Sequence, residues 1–220
     1  MKLKKHHRLI IAADGGAASG KTTGAKKISK KYGLKFLSSG LLYRFASYQL
    51  LKHKPKNKIS LLRKSFKKLN LKKLNKINLH SAAISEHTSI IAKEKKIRII
   101  LQLFQKRFAK RYKKVCIEGR DIGTVILPKA DIKFYFMCNL NTAAKRRFYE
   151  LRKKNNKIKF AHVKKSLKIR NYRDKNRKNS PLIRSKDAVI VRTDKLKNIT
   201  GMVSKMSEIV EKKIKNKYGS

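Results

Sequence analysis

The stretch from Asp14 to Thr23, "DGGAASGKTT", holds the first residues whose types and spacing suit chemistry. Gly15, four residues, then Gly20-Lys21-Thr22 match the pattern G-x-x-x-x-G-K-[ST]. In such a loop the glycines let successive backbone N–H groups curl around phosphate oxygens, which makes Gly16, Ala17, Ala18, Ser19 and Gly20 candidate ATP-binding residues. The helix that follows adds its positive end. Lys21 reaches the β- and γ-phosphates, and the Thr22 hydroxyl holds Mg²⁺ beside water and phosphate ligands. Gly15–Thr23 is therefore a candidate ATP site with Mg²⁺ as cofactor. The flanks agree with it. "RLIIAAD" is an apolar, β-branched run, and "GAKKISKKYGL" has helical spacing and no proline. By itself the loop does not separate a kinase from a hydrolase or a motor.

Three further blocks are more discriminating: "SSGLLYR", "EGRDIGTVILP" and "RNYRDKNRKNSPLIRSKDA". With the loop, and in this order over residues 8–193, they resemble bacterial cytidylate kinase, a P-loop nucleoside monophosphate kinase. The resemblance implies ATP-dependent phosphorylation of CMP and dCMP to CDP and dCDP by in-line transfer, in pyrimidine nucleotide metabolism. It assigns Arg44, Arg120 and Arg177 to the acceptor phosphate, with Ser39 nearby. It gives Ser89 and Arg98 as donors to the base, and Asp121 as the residue that completes the polar contacts there. Arg170 and Asp174 would face the ribose. Arg146 and Arg147, in "NTAAKRRFYELRKKNNK", lie where the family places basic residues over the ATP phosphates. Lys21, Arg120, Arg177, Arg146 and Arg147 make up the expected catalytic set.

The residue types also make physical sense. A nucleoside monophosphate carries a compact dianion, which several rigid guanidinium forks bind better than one lysine does. A cytosine-selective site needs donors for a carbonyl and a ring nitrogen, and an acceptor for an amine. Two readings stay open at two positions. Arg98 reads equally as a helix-surface arginine, and Asp174 as a structural acid pairing neighbouring arginines. Asp14 and Asp121 are candidates for the metal's water shell. The sequence departs from the family pattern at Gly16, where proline is usual, and at Ser38, where aspartate is. His80 and Arg192 also depart from it, standing for an arginine and an acid. A kinase for UMP or AMP is the same-class alternative. A nucleic-acid-binding ATPase is the other, with Glu118 of "KVCIEG" imitating a Walker B acid.

Strands that position these residues are expected at 8–14, in "LKFLSSG", "KVCIEG" and "IKFYFMC", and in "AVIVRT". Helical patterns separate them, so the fold class is α/β: a P-loop kinase fold with a five-stranded parallel sheet flanked by helices. One domain spans 1–220. A small, polar, mobile and mostly helical acceptor-binding insert occupies 45–92, without convincing strands, and a short lid occupies 141–160. Residues 80–112 and 141–177 read as helical runs. Ligands in such sheets sit beyond the C-terminal strand ends.

Composition limits the class. The chain has 61 Lys+Arg against 12 Asp+Glu, a formal charge of +49, spread through every segment rather than gathered on one stripe. That pattern argues for compositional drift rather than a dedicated nucleic-acid surface. Expected partners are ATP, CMP and dCMP, with no specific nucleic acid and no membrane, and the expected state is a monomer. The basic start has too short an apolar run for a signal peptide, so a cytoplasmic protein is expected. Cys116 and Cys138 read as reduced, buried strand thiols without metal spacing.

Overall fold

In a computed structural model, which describes residues 3–4, 6–153, 155–196 and 198–219, five parallel strands form one sheet of order β2-β3-β1-β4-β5. They are β1 Leu9–Gly15, β2 Lys35–Ser38, β3 Lys114–Gly119, β4 Ile132–Met137 and β5 Val189–Arg192. Every residue of β1 is buried, as a central strand covered on both faces requires. Its side chains alternate between two cores. Ile10 and Ala12 join Leu37, Leu42, Leu101 and Ile117 on one face. Leu9, Ile11 and Ala13 join Ile28, Phe134, Phe136 and Met206 on the other.

The helices follow from this division. α1 (Lys21–Lys31) and α8 (Ile199–Tyr218) supply Ile28 and Met206 to the second core. α2 (Ser39–His53), α3 (Lys58–Lys67) and α5 (Lys95–Arg111) cover the first. α4 (Ala82–Ile91) packs beside α2, while α6 (Leu140–Arg152) and α7 (Phe160–Asn176) pack on each other. A third, small cluster places Ala17 of the phosphate loop against Ala143, Ala144, Val163 and Leu167 of α6 and α7. Between β2 and β3 no strand forms among the described residues. That stretch is helical, with a 3₁₀ segment at Leu71–Lys76. Leu62, Phe66 and Leu74 anchor it, and Phe66 meets Phe45 and Phe104 edge to face.

Several expectations about elements need correction. The run 80–112 is two helices, broken at Ala92–Glu94. The break leaves the Ala92 carbonyl to accept from Arg98 Nη1 at 3.1 Å. The run 141–177 is also two helices, α6 and α7, and within the lid segment Lys154 lies outside the described residues. "RDIGTVILP" contains one π-helical turn, Ile122–Ile126. Cys116 is a buried strand thiol, pushed up to about 12 by burial, but Cys138 lies just past β4 and is half-buried. Both thiols are free. Among the described residues no helix is long and apolar enough to cross a membrane.

Candidate active site

The strand order reverses at β1, and the phosphate loop leaves the C-terminal end of that strand. Gly15 lies so close to β4 that a Cβ there would meet the Phe136 carbonyl oxygen at 2.5 Å. Gly20, at φ +84°, turns the chain into α1 and offers no side chain as a cap. The N–H groups at the start of α1 therefore face the cleft without a side-chain cap, as an anion site needs.

Lys21 is buried. Its Nζ donates to the Gly16 carbonyl at 3.2 Å and lies 3.7 Å from Glu118 Oε2. Burial, with Arg120 adding repulsion, lowers its pKa to about 7 against the pull of Glu118. Glu118 ends β3. Its Oε1 accepts a short hydrogen bond from Ser38, whereas its buried Oε2 has no hydrogen-bond partner.

A cleft of about 460 Å³ runs from this loop towards α2 and α4. Every residue expected in the site lines it except Gly15 and Gly16. Those two contribute carbonyls instead: Arg120 Nη1 donates to Gly15 O at 2.6 Å, and Lys21 to Gly16 O. The cleft is crowded with positive charge. Burial and neighbouring Arg147 lower the Arg44 pKa to about 10, and burial and Arg120 lower that of Arg170 to about 9. The Arg170 guanidinium donates no hydrogen bond among the described residues. Cations pressed together and desolvated in this way are stabilised by a multivalent anion.

The individual partners refine the expected roles. Asp174 is buried, which by itself would raise its pKa, but Arg120 and Arg170 hold it below the usual carboxylate range. Its Oδ2 accepts from Arg120 Nε at 2.8 Å, and its Oδ1 accepts from Arg177 Nη1 at 3.4 Å. The structural reading of Asp174 therefore describes its contacts. Arg44 Nη1 donates to the Leu79 carbonyl at 2.9 Å and to Ser85 Oγ at 2.8 Å. Ser39 is buried at the start of α2 and lines the cleft with Arg44 and Gly119.

At the far end Arg98 is only 2 % exposed, so the surface reading of this arginine is overturned. Its Nη2 makes a short ion pair with Asp121, and its guanidinium sits 5.6 Å from the centre of the Tyr43 ring. Asp121 Oδ1 lies 3.8 Å from Arg177 Nη2. Asp121 thus braces Arg98 and Arg177. Asp14 does not line the cleft, and its two oxygens accept from Ile122 N at 2.8 Å and Gly123 N at 2.7 Å. Ser89 accepts from Arg173 Nη1 at 3.1 Å.

The two lid arginines separate. Arg146 bonds Thr193, through Oγ1 at 2.9 Å and the carbonyl at 2.8 Å, and Thr193 in turn donates to Ser19 O at 2.9 Å. Arg147 pairs with Glu150 at 2.7 Å on the cleft side. Sequence reasoning missed Tyr43, Thr193, Arg173 and Asn171 as partners and weighed Glu118 only as a Walker B imitation. All four lie within stretches quoted above, Thr193 at the end of "AVIVRT", but nothing local marks them as partners.

The chain is similar to known proteins over most of its length. The family model described as "Cytidylate kinase" matches residues 11–212. The chain is 41 % identical over 192 residues to a cytidylate kinase of Bartonella tribocorum, covering 85 % of this chain and 87 % of the relative. It is 33 % identical over 225 residues to one of Clostridium tetani, covering 96 % and 98 %. Among solved structures it is similar to a shikimate kinase from Bacteroides thetaiotaomicron, with TM-score 0.51, 10 % identity and coverage of 92 % and 98 %. That last likeness concerns the fold alone.

Proposed function

The chain belongs to the cytidylate kinase family, and from that premise we propose how its residues phosphorylate CMP and dCMP with ATP. The observation that carries the reading is the cleft in which Lys21, Arg44, Arg120, Arg170 and Arg177 converge, several with depressed pKa values. The loop Gly15–Thr23 takes the ATP phosphates. Arg44, Arg120 and Arg177, with Ser39, take the acceptor phosphate, whose oxygen is already anionic and needs no general base. Catalysis is then positioning plus neutralisation of the charge on the transferring group. Both lid arginines line the cleft, and Arg147, paired with the exposed Glu150 rather than held by Thr193, is the one suited to the phosphates. Arg146 tethers the lid helix to Thr193 at the cradle's edge. Closure of the lid, 141–160, over the site excludes water that would otherwise hydrolyse ATP.

Mg²⁺ fits the residues present. The Thr22 hydroxyl lines the cleft, and the orphaned Glu118 Oε2 is an acceptor for a metal-bound water. Thr22 would hold the ion beside ATP oxygens, and bound there it would neutralise phosphate charge. Ser89, in an acceptor insert at 45–92, and Arg98, which follows it on α5 and is oriented by Asp121, address the cytosine. Arg170 and Asp174 lie towards the sugar. The enzyme works as a monomer in the cytoplasm.

The test is a coupled ADP-release assay across the nucleoside monophosphates, with and without added DNA and RNA. CMP and dCMP are turned over, UMP and AMP far less, and nucleic acid does not stimulate turnover. Lys21→Ala keeps the fold and loses activity by about a hundred- to a thousandfold, the scale of losing one preorganised electrostatic contact. Normal turnover in a folded Lys21→Ala protein would refute the assignment of the loop.

A further inference from the structure

Two residues one helical turn apart on α7 reach the phosphate loop. Asn171 Oδ1 accepts from the Ala17 N–H at 3.0 Å. Asp174 accepts from Arg120, whose Nη1 donates to the Gly15 carbonyl at 2.6 Å. The first half of the loop is thus held from α7 at Gly15 and at Ala17, on either side of Gly16. Ala17 also packs in the small cluster with Leu167 and Val163 of the same helix.

Gly16 is what lets the amide in. A Cβ at that position would lie 3.3 Å from Asn171 Oδ1 and 3.7 Å from its Cγ. The first distance is tighter than ordinary van der Waals contact, so a side chain at 16 would push the amide back from Ala17. The backbone at Gly16 does not lie in the left-handed region. Its value is therefore space rather than conformation. The same absence of a side chain leaves the loop free to vary where the resembled family carries a stiff proline.

We propose that Asn171 is a positioning residue for the ATP phosphates: with Gly16 it clasps the loop to the acceptor-side helix and supplies the rigidity that proline would otherwise give. The inference rests on the reading of Gly15–Thr23 as the ATP cradle. A cradle held in its binding shape before the nucleotide arrives loses less conformational freedom on binding. The clasp should therefore bear on ATP much more than on CMP.

Asn171→Leu keeps the branched outline of the side chain, atom for heavy atom, and removes the acceptor. The net worth of one neutral hydrogen bond corresponds to about a three- to tenfold change in an equilibrium. The KM for ATP should rise by that factor, with less than about a twofold change in the KM for CMP and a thermal midpoint lowered by no more than about 2–4 °C. Gly16→Ala, whose methyl displaces the amide, should give a rise of the same size. The double variant should be no worse than either single one, because both break the same contact. Hydrogen exchange at the Ala17 amide should quicken in both. If the Leu variant does not fold, Gly16→Ala and its exchange rate decide the matter. The clasp is refuted by an unchanged KM for ATP, by equal rises for ATP and CMP, or by effects that multiply in the double variant. Such a result alongside an inactive Lys21→Ala protein overturns the clasp alone. An active Lys21→Ala protein would instead remove the cradle on which the clasp depends.

Discussion

Changing Asp121→Asn tests how the site chooses its base. The carboxylate is buried, pairs with Arg98 and lies 3.8 Å from Arg177. Arg98 Nε already lacks an acceptor. Without the charge of Asp121, the Arg98 guanidinium keeps only the Ala92 carbonyl, the Tyr43 face and the neutral amide oxygen. Removing one partner of a buried ion pair outright costs about 3–5 kcal/mol. Asparagine retains an acceptor, so the loss should be nearer the ~2–3 kcal/mol of a charged hydrogen bond. For a chain of this length that lowers the thermal midpoint by about 4–12 °C. Arg98 then loses its fixed orientation, and kcat/KM for CMP over UMP should fall by about three- to tenfold, the worth of one hydrogen bond. Calorimetry and paired steady-state assays read the two effects. An unchanged CMP/UMP ratio would refute base recognition through the Arg98–Asp121 pair and leave the kinase standing. A lower ratio with an unaltered midpoint would show that Asp121 meets the base directly and that the pair carries no stability.

Lys21, lowered to about 7 by burial, binds fewer protons folded than unfolded between pH 7 and its ordinary range near 10.5, so its contribution to stability rises with pH across that window and is lost as pH falls towards 7. ATP binding above pH 7 should accordingly take up a proton at Lys21, read as a dependence of the calorimetric heat on buffer ionisation, and Lys21→Met should abolish it. Gly24→Ala should destabilise by about 1–3 kcal/mol despite better helix propensity, because a Cβ there would lie 2.9 Å from the buried Phe136 ring and 3.1 Å from Met206 Sδ; an unchanged denaturation midpoint would contradict this. No Asp or Glu occurs between Asp14 and Glu86, so nucleic acid, where it binds, should do so without base preference and with affinity falling steeply with salt. A sequence-selective complex surviving moderate salt in a filter-binding titration would contradict that.

The parts of this protein legible in its sequence are those whose meaning is local. The phosphate loop needs a strand, a glycine turn and a helix start in unbroken succession, and Leu9–Lys31 supplies all three within one stretch. The parallel sheet follows from alternation of short apolar strands with helical runs, and the arginines stand out through their "YR", "GRD" and "RNYRD" blocks. The breaks at Ala92–Glu94 and after Arg152 were not legible, since the lysine-rich sequence there carries neither glycine nor proline to mark a stop.

Pairing was decided by the tertiary structure. Composition shows that acids are scarce, but not that Asp121 would take Arg98, 23 residues away, or that Asp174 would take Arg120. Nor does it show that Ser38, standing for an aspartate, would hold Glu118 beside Lys21. Asn171 is the plainest case. It looks like any polar helix residue until the fold brings it to Ala17, 154 positions earlier, across the space that Gly16 leaves open. Local sequence sets backbone conformation through steric and hydrogen-bonding preferences of neighbouring residues. Which buried charge meets which is set by how the cores on the two faces of β1 pack and bring distant strand ends and helices to one cleft.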